Sequence, residues 1–327
     1  MANAELIPDI ATALRAVLPV ECVLERAEER RPYECDGLTA FRELPAVVVL
    51  PRSDEEVRET LRTCHRLRVP LVARGSGTGL SGGATPHPSG VLLSCGRMSR
   101  VLEVDPVNRI ARLEPGVPNL KVSEAAARYG LYYAPDPSSQ VACSIGGNVA
   151  ENSGGVHCLK YGLTVHNVLG LRGYTVDGAR IELGGLAPDG PGLDLLALTI
   201  GSEGLLLIVT EVTVKLIPRA PCAQLVMASF ADVQSAGHAV ADVIGAGIIP
   251  AALEMMDRKA SAAVEPFVHA GYDLTAAAIL LVAIIAAIAL THRKRRQTKY
   301  QNPSEQLRVR RDERLRILNI PAEKREP

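Results

Sequence analysis

Apolar residues along this chain fall into two patterns. Short unbroken runs predict strands, and longer segments with apolar positions every three or four residues predict helices. AVVVL (46–50) reads as a strand, and PRSDEEVRETLRTCHRL (51–67) follows with Ser53 and Glu56 spaced as a capping box and Val57, Leu61, Cys64 and Leu67 at helical intervals. VPLVA (69–73) reads as a second buried strand and VLLS (91–94) as a third, so a β-α-β unit delivers the chain into the glycine-rich stretch between them. A second unit opens near Val107: RIARLEPG reads as strand and turn, NLKVSEAAARYG as a helix stopped by Gly130, and residues 134–162 as a long glycine and asparagine region. LGLRGYTVDGARIEL carries a hairpin signal at Asp177-Gly178, and LLLIVTEVTVKLIP is a β-rich run ended by Pro218. AQLVMASF, the helix-like SAGHAVADVIGAG and IIPAALEMMD then suggest the opening β-α-β of another domain. The N-terminal MANAELIPDIATALRAVLP has the spacing of an amphipathic helix and no basic segment ahead of a long apolar one, so it does not read as a secretory signal.

One apolar run breaks the pattern. LTAAAILLVAIIAAIALT (274–291) holds eighteen residues without a charge and meets HRKRR directly. A bilayer core takes about 20 helical residues, so this is a borderline transmembrane span. A buried helix of a soluble domain is the alternative, but uncharged faces all round and a basic flank favour the membrane reading.

The 327 residues, 47% hydrophobic and 22% charged, suffice for a substantial core and two domains. With 3% aromatics and no Trp, stacking platforms for single-stranded nucleic acid are not expected, and no nucleic-acid partner is assigned. The net charge of zero hides an asymmetry: from His292 onward twelve Lys or Arg face five acids, a tail of +7, which leaves −7 for the rest. Seven cysteines, odd in number and without a C-x-x-C pair, point to reduced thiols in a cytoplasmic protein, not to a disulfide framework or a zinc ribbon, and no metal site is expected.

RGSGTGLSGG (74–83) puts five glycines into ten residues. A Walker loop needs Lys followed by Ser or Thr after its last glycine, and neither stands there. A dinucleotide fingerprint needs G-x-G-x-x-G opening a helix, whereas here the spacing is G-x-G-x-G and the chain continues with glycine and proline. The remaining reading is a loop whose consecutive N–H groups form an anion nest, the glycines allowing positive φ and close approach of a diphosphate. A second run, PDPSSQVACSIGGNVAENSGG (135–155), concentrates small side chains and amides that could line a flat ligand. Together the two runs favour a large dinucleotide.

At this point the chain resembles a known family. P-L-V-A-R-G-S-G-T-G-L-S-G-G-A, then P-D-P-S-S with C-S-I-G-G-N-V-A-E-N-S-G-G-V-H-C-L-K-Y-G, then G-S-E-G-L-L-L-I-V-T-E-V-T are similar to the FAD domain of the vanillyl-alcohol oxidase type, also called PCMH-type. Within it the likeness, from about residue 10 to about 282, is to bacterial glycolate oxidase flavin subunits and D-lactate dehydrogenases. The resemblance implies an α+β fold with a two-subdomain FAD-binding domain (1–218) and a truncated ferredoxin-like cap start (219–273), to which the apolar run adds a hydrophobic helix (274–291) and the charge count a basic tail (292–327).

It further implies that Arg74, Gly75, Ser76, Gly77, Thr78 and Gly79 wrap the diphosphate, and that Pro135, Asp136 and Ser139 sit by the flavin. Gly146, Gly147, Asn148, Asn152, Ser153 and Gly155 would approach the isoalloxazine and ribityl chain, with Glu203, Gly204, Ile208 and Val209 near the adenine. Relatives with a histidine-linked flavin carry His where Thr78 stands, so FAD is expected to be noncovalent. The family usually reads G-S-E-G-T-L-G-I, and Leu205 and Leu207 replace its Thr and last Gly, which raises the question of crowding at Leu207.

The implied reaction is oxidation of a small 2-hydroxy acid, glycolate or D-lactate, with hydride passing to flavin N5 and electrons onward to partner subunits or a carrier. The base and carboxylate ligands of relatives lie mainly in a cap with a histidine-rich motif, and no H-x-H occurs here, so no catalytic residue is assigned. His157, beside Lys160 and Tyr161, is the best-placed ionisable group, although a lone His is more often structural; Cys143 and Cys158 are expected to pack and His166 to face a turn.

The ending AIIAAIALTHRKRRQ…LNIP resembles the C-terminus of subunit J of the proton-pumping NADH–quinone oxidoreductase. A fusion, a deletion or a gene-model join would each account for it. The expectation is thus a cytoplasmic protein with inner-membrane contact, its alternative a non-catalytic FAD-binding protein fused to a membrane segment. HRKRR held inside would place the flavin domain outside, against the cytoplasmic reading.

Overall fold

The computed structural model describes residues 6–187, 192–220, 223–285 and 315–318. The chain divides into two compact units, one of residues 1–155 and 162–218, the other of residues 156–161 and 219–327.

The first unit holds two larger sheets and a two-stranded ribbon. In one, β1 (Val23–Leu24), β2 (Val47–Val49), β3 (Leu71–Arg74) and β4 (Val91–Ser94) lie in the order β1-β2-β4-β3, parallel from β2 to β3. Val47, Val48 and Val49 are fully buried, as an apolar run in a strand covered on both faces must be. Around this sheet lie α1 (Leu6–Arg15), α2 (Ala27–Arg30) and α3 (Asp54–Leu67). Ser53 caps α3, its Oγ accepting the Glu56 amide at 3.3 Å, while the Glu56 carboxylate takes the Arg52 amide at 2.7 Å. Val57, Leu61 and Cys64 are buried as their spacing predicts; Leu67, at the helix end, is exposed. VPLVA is half-buried, because β3 stands at the sheet edge, where one flank of the strand has no neighbour.

The other sheet is antiparallel: β5 (Val101–Asp105), β6 (Ile110–Leu113), β8 (Val168–Tyr174), β9 (Arg180–Gly184) and β10 (Ile208–Lys215), in the order β5-β6-β10-β8-β9. A short ribbon pairs β7 (Leu131–Tyr132) with β11 (Ile217–Pro218). Burial alternates along β10, with Ile208, Thr210, Val212 and Val214 inward. The inward face shares a core with α4 (Asn119–Ala127) and α5 (Ile145–Glu151). On the other face charges alternate across the strands: Arg112 bridges Glu103 at 3.1 Å and Glu211 at 3.0 Å, and Arg172 bridges Glu211 and Glu182 at 3.3 Å each. The short α7 (Leu195–Thr199) leads back toward β10.

The second unit carries α6 (Cys158–Tyr161), α8 (Val233–Gly245), α9 (Arg258–Val268) and a sheet of β12 (Ala223–Phe230), β13 (Ala252–Asp257), β14 (Ala278–Ile285) and β15 (Leu315–Leu318), in the order β13-β14-β12-β15. Here the structure overturns the membrane-helix expectation. Ala278–Ile285 is a strand paired along its whole length with β12, from Phe230↔Ala278 to Ala223↔Ile285, and with β13 on its other edge. A strand covered on both faces has no reason to alternate, so an uninterrupted apolar run does not distinguish it from a helix. Residues 286–291 of the run lie outside the described residues. Among the described residues no helix is long and apolar enough to cross a membrane.

Among the described residues six thiols are free: Cys22, Cys64, Cys95 and Cys143 are buried, Cys35 is half-buried, and Cys158 is exposed instead of packed. Burial pushes the Cys64 and Cys95 thiols from near 9 up to about 12. An unfolded chain releases these protons near pH 9 and the folded one only near 12, so their stabilisation is complete below pH 9 and is lost as pH climbs to 12. The urea midpoint is expected to fall across that window and to fall less in Cys64→Val/Cys95→Ala; an equal slope in the double variant would assign the loss elsewhere.

Candidate cofactor groove

Strand β3 ends at Arg74, whose guanidinium turns back beneath the following loop. Its Nη1 donates to the Cys35 carbonyl at 2.7 Å, and its Cζ lies 5.8 Å from the Tyr33 ring centre. Burial lowers its pKa, yet guanidinium remains charged. Gly77, at φ +68°, sits directly over this group, and any Cβ there would overlap Nη2. The left-handed backbone favours glycine here, and a Cβ would in addition force the Arg74 guanidinium to shift.

No helix follows, as the glycine and proline content predicts. The backbone amides from Ser76 to Ser81 donate to no acceptor among the described residues. Beyond them the loop is held by carboxylates: the Gly82 amide donates to Asp36 Oδ2 at 2.9 Å, and Ser81 Oγ meets both Glu151 oxygens at 3.1 and 3.0 Å.

The second glycine run is partly helical, which its composition did not predict. Ser144 Oγ accepts the Gly147 amide at 3.3 Å and starts α5 through Gly146 and Gly147; Asn152, at φ +49°, ends it. Gly146 lies against Pro115, whose Cα is 3.2 Å from where a Cβ would stand. The two runs meet at Gly75: a Cβ there would overlap Ser144 Oγ and lie 3.2 Å from Gly147 Cα.

Between them opens a cleft of about 640 Å³ including its mouth. Of the residues implied to bind, Gly75, Ser76, Gly77, Thr78, Gly79, Ser139, Gly147, Asn148, Ser153 and Glu203 line it. An adjoining cleft of about 520 Å³ shares Ala73, Gly75, Gly147, Ala150 and Glu203 with it and adds Arg74, Gly146, Gly204, Ile208 and Val209. Pro135, Asp136, Asn152 and Gly155 line neither. They shape the wall from behind: the Pro135 carbonyl accepts from Asn119 Nδ2 at 3.1 Å, Asn152 Oδ1 takes the Val165 amide at 3.0 Å, and Gly155 packs so tightly on Asp136 that a Cβ would overlap its carbonyl.

Sequence reasoning missed Asp36, Ser144 and Glu151 in the wall. Glu151 could have been found, since it lies four residues after Gly147 and so on the same helix face. Leu207 also lines the second cleft, yet it is only 4% exposed and belongs to the core around β10, whereas Leu205 is 86% exposed. The core absorbs most of the Leu207 bulk. His157, Lys160 and Tyr161 fall in the second unit, the His157 and Tyr161 rings 6.4 Å apart. His166 faces a turn, its Nδ1 accepting the Leu163 amide at 3.1 Å.

A row of amides without protein acceptors is what an internal diphosphate requires, and glycines that leave no room for a Cβ are what bring two backbones to one flat ligand. The carboxylates Asp36, Glu151 and Glu203 lie where donors, not phosphate oxygens, must face them. The donor set thus suits a dinucleotide with hydroxyl-bearing ends.

Fold and groove together define a flavoprotein of the p-cresol methylhydroxylase type with mixed α/β content. A profile described as FAD binding domain matches residues 45–184, and one described as FAD linked oxidases, C-terminal domain, matches residues 220–311, past residue 282 where the likeness had been expected to end. The chain belongs to this family of FAD-linked oxidases, and FAD is its cofactor. The glycolate oxidase subunit GlcD of Escherichia coli K12 is 58% identical over 272 residues, 83% of this chain and 54% of that protein. GlcD of Bacillus subtilis 168 is 41% identical over 77% of this chain and 54% of its own length, and the D-lactate dehydrogenase of Archaeoglobus fulgidus 39% over 65% and 48%. The chain spans about half the length of the curated relatives it matches. Substrate-bound p-cresol methylhydroxylase shares the fold with a TM-score of 0.75 at 16% identity, over 97% of this chain and 66% of that one; alkyldihydroxyacetonephosphate synthase does so at 0.73 and 22%, over 85% and 56%.

Proposed function

We propose that this chain is the FAD-holding part of an oxidoreductase that converts a small 2-hydroxy acid, glycolate or D-lactate, to the 2-oxo acid and hands electrons to a partner subunit or carrier. The observation that carries the cofactor half of this reading is the run from Ser76 to Gly79, whose amides have no acceptor among the described residues and which lines one cleft together with the second glycine run. The names borne by the relatives support the substrate half.

In this reading the amides of Ser76 to Gly79 hold the diphosphate, while Arg74 supports the loop from beneath. Ser139, Gly146, Gly147, Asn148 and Ser153 line the flavin side, and Glu203, Gly204, Ile208 and Val209 the adenine side. Pro135, Asp136, Asn152 and Gly155 fix the shape of that wall. Bound FAD supplies the two-electron acceptor. The protein's task is to orient it and to exclude water from one face. Thr78 offers no imidazole for a covalent link, so acid precipitation is expected to release all of the flavin into the supernatant.

Protein reconstituted with FAD and mixed anaerobically with glycolate or D-lactate should lose its visible flavin absorbance. Stoichiometric FAD that stays oxidised with both would overturn the proposed oxidation and leave the cofactor site standing.

A further inference from the structure

Asn119, the first residue of α4, is 2% exposed and lines neither cleft. Its backbone amide donates to the Cys143 carbonyl at 2.9 Å, which places it behind the wall formed by the second glycine run. Its side-chain nitrogen makes two contacts, to the Pro135 carbonyl at 3.1 Å and to Asn148 Oδ1 at 2.9 Å.

These contacts settle which way Asn148 points. A backbone carbonyl can only accept, so the Asn119 group facing Pro135 must be its NH2. The second hydrogen of that NH2 is aimed at Asn148, which must therefore present its oxygen. The Asn148 NH2 is consequently turned the other way, toward Cys143 Sγ at 3.3 Å and Ser153 Oγ at 3.4 Å. Cys143, Asn148 and Ser153 all line the cleft between the glycine runs. A thiol sulfur is a poor acceptor and 3.4 Å is a long bond, so the Asn148 NH2 keeps donor capacity on the groove side.

We propose that Asn119 is a positioning residue for the cofactor: it locks the Asn148 carboxamide with its donor edge toward the groove, so that this wall favours the more electron-rich, reduced form of the bound flavin. The inference rests on the reading that FAD occupies this groove. The chemistry is that of any fixed N–H dipole facing a group that gains charge. The cluster is buried, and a donor in such a site acts with little screening.

The test compares the parent with Asn119→Leu, which removes the donor, and Asn119→Asp, which presents an acceptor to Asn148 and favours its flipped orientation. FAD midpoint potentials are measured by equilibration with a reference dye, together with oxidised-FAD dissociation constants. Both variants are expected to lose about tenfold in the preference for reduced over oxidised flavin, a fall of about 30 mV for a two-electron couple. Oxidised FAD should be held within a few-fold of the parent. A merely structural residue would weaken both redox forms alike and leave the potential unmoved, and that result overturns the proposal.

Should both variants fail to fold, the parent decides. With side-chain amides labelled with 15N, the Asn148 NH2 pair must shift on addition of oxidised FAD while the Asn119 pair stays protected from exchange. An Asn148 pair that does not respond overturns the proposal. Parent protein that takes up no FAD at all would sink the groove reading and this inference with it, whereas FAD uptake with unchanged potentials sinks the inference alone.

Discussion

Gly75→Ala is expected to weaken FAD binding by one to two orders of magnitude while leaving the protein folded. A Cβ at this position would overlap Ser144 Oγ and stand 3.2 Å from both the Cα and the amide nitrogen of Gly147. Neither neighbour can yield freely, because Ser144 caps α5 through the Gly147 amide and α5 is packed on the core through Ile145 and Val149. Overpacking of this kind costs about 1–3 kcal/mol. Moving the two glycine runs apart relieves it, and that same separation spoils the groove, so the cost falls on binding at about tenfold per 1.4 kcal/mol. Fluorescence titration of apoprotein with FAD measures it directly. Gly75→Ala/Ser144→Ala removes the hydroxyl but keeps the Gly147 contact, and should recover part of the affinity. Gly237→Ala, in α8 with nothing within 4 Å of its added methyl, should leave FAD binding unchanged. A Gly75→Ala protein that binds FAD like the parent would mean that the runs do not need their observed proximity.

How far the sequence foretold this arrangement depended on whether a residue's role was local. β2, α3 and β4 were legible because each carries its own signal: an apolar run, a cap at Ser53 and a periodic face through Val57, Leu61 and Cys64. The glycine loop was legible for the same reason, since G-x-G-x-G with neither Lys nor a following helix leaves little besides a nest. β14 was not, because a strand paired on both edges and covered on both faces gives the same uninterrupted apolar string as a membrane helix. α5 escaped because glycine argues against helix locally, while the Ser144 cap and burial of Ile145 and Val149 override that preference.

The wall of the groove was half legible. Small residues announce themselves by identity, but Asp36 and Ser144 arrive from distant or unremarkable positions. Pro135, Asn152 and Gly155, equally conspicuous in the sequence, turn out to brace the wall instead of lining it. The Asn119–Asn148 contact spans 29 positions and had no sequence signal at all.

Leu207→Ala should separate stability from cofactor binding at one residue. Leu207 is buried to 4% exposure within the core that includes Val149 and Ile200, and it also lines the second cleft. Truncating a buried leucine costs about 2–5 kcal/mol, through lost transfer energy and the void left behind. Apoprotein should show that full loss in its urea midpoint. In the FAD-bound protein the loss should be smaller, because trimming the leucine from the groove wall relieves crowding and tightens FAD binding, and only such a change in affinity alters the increment that ligand binding adds to the folded state. The sign of the difference between the two measurements carries the argument. An equal loss with and without FAD would assign Leu207 to the core alone. A larger loss with FAD would mean that the leucine supports the flavin by contact, and that its bulk, in place of the glycine of the family pattern, aids the site instead of crowding it.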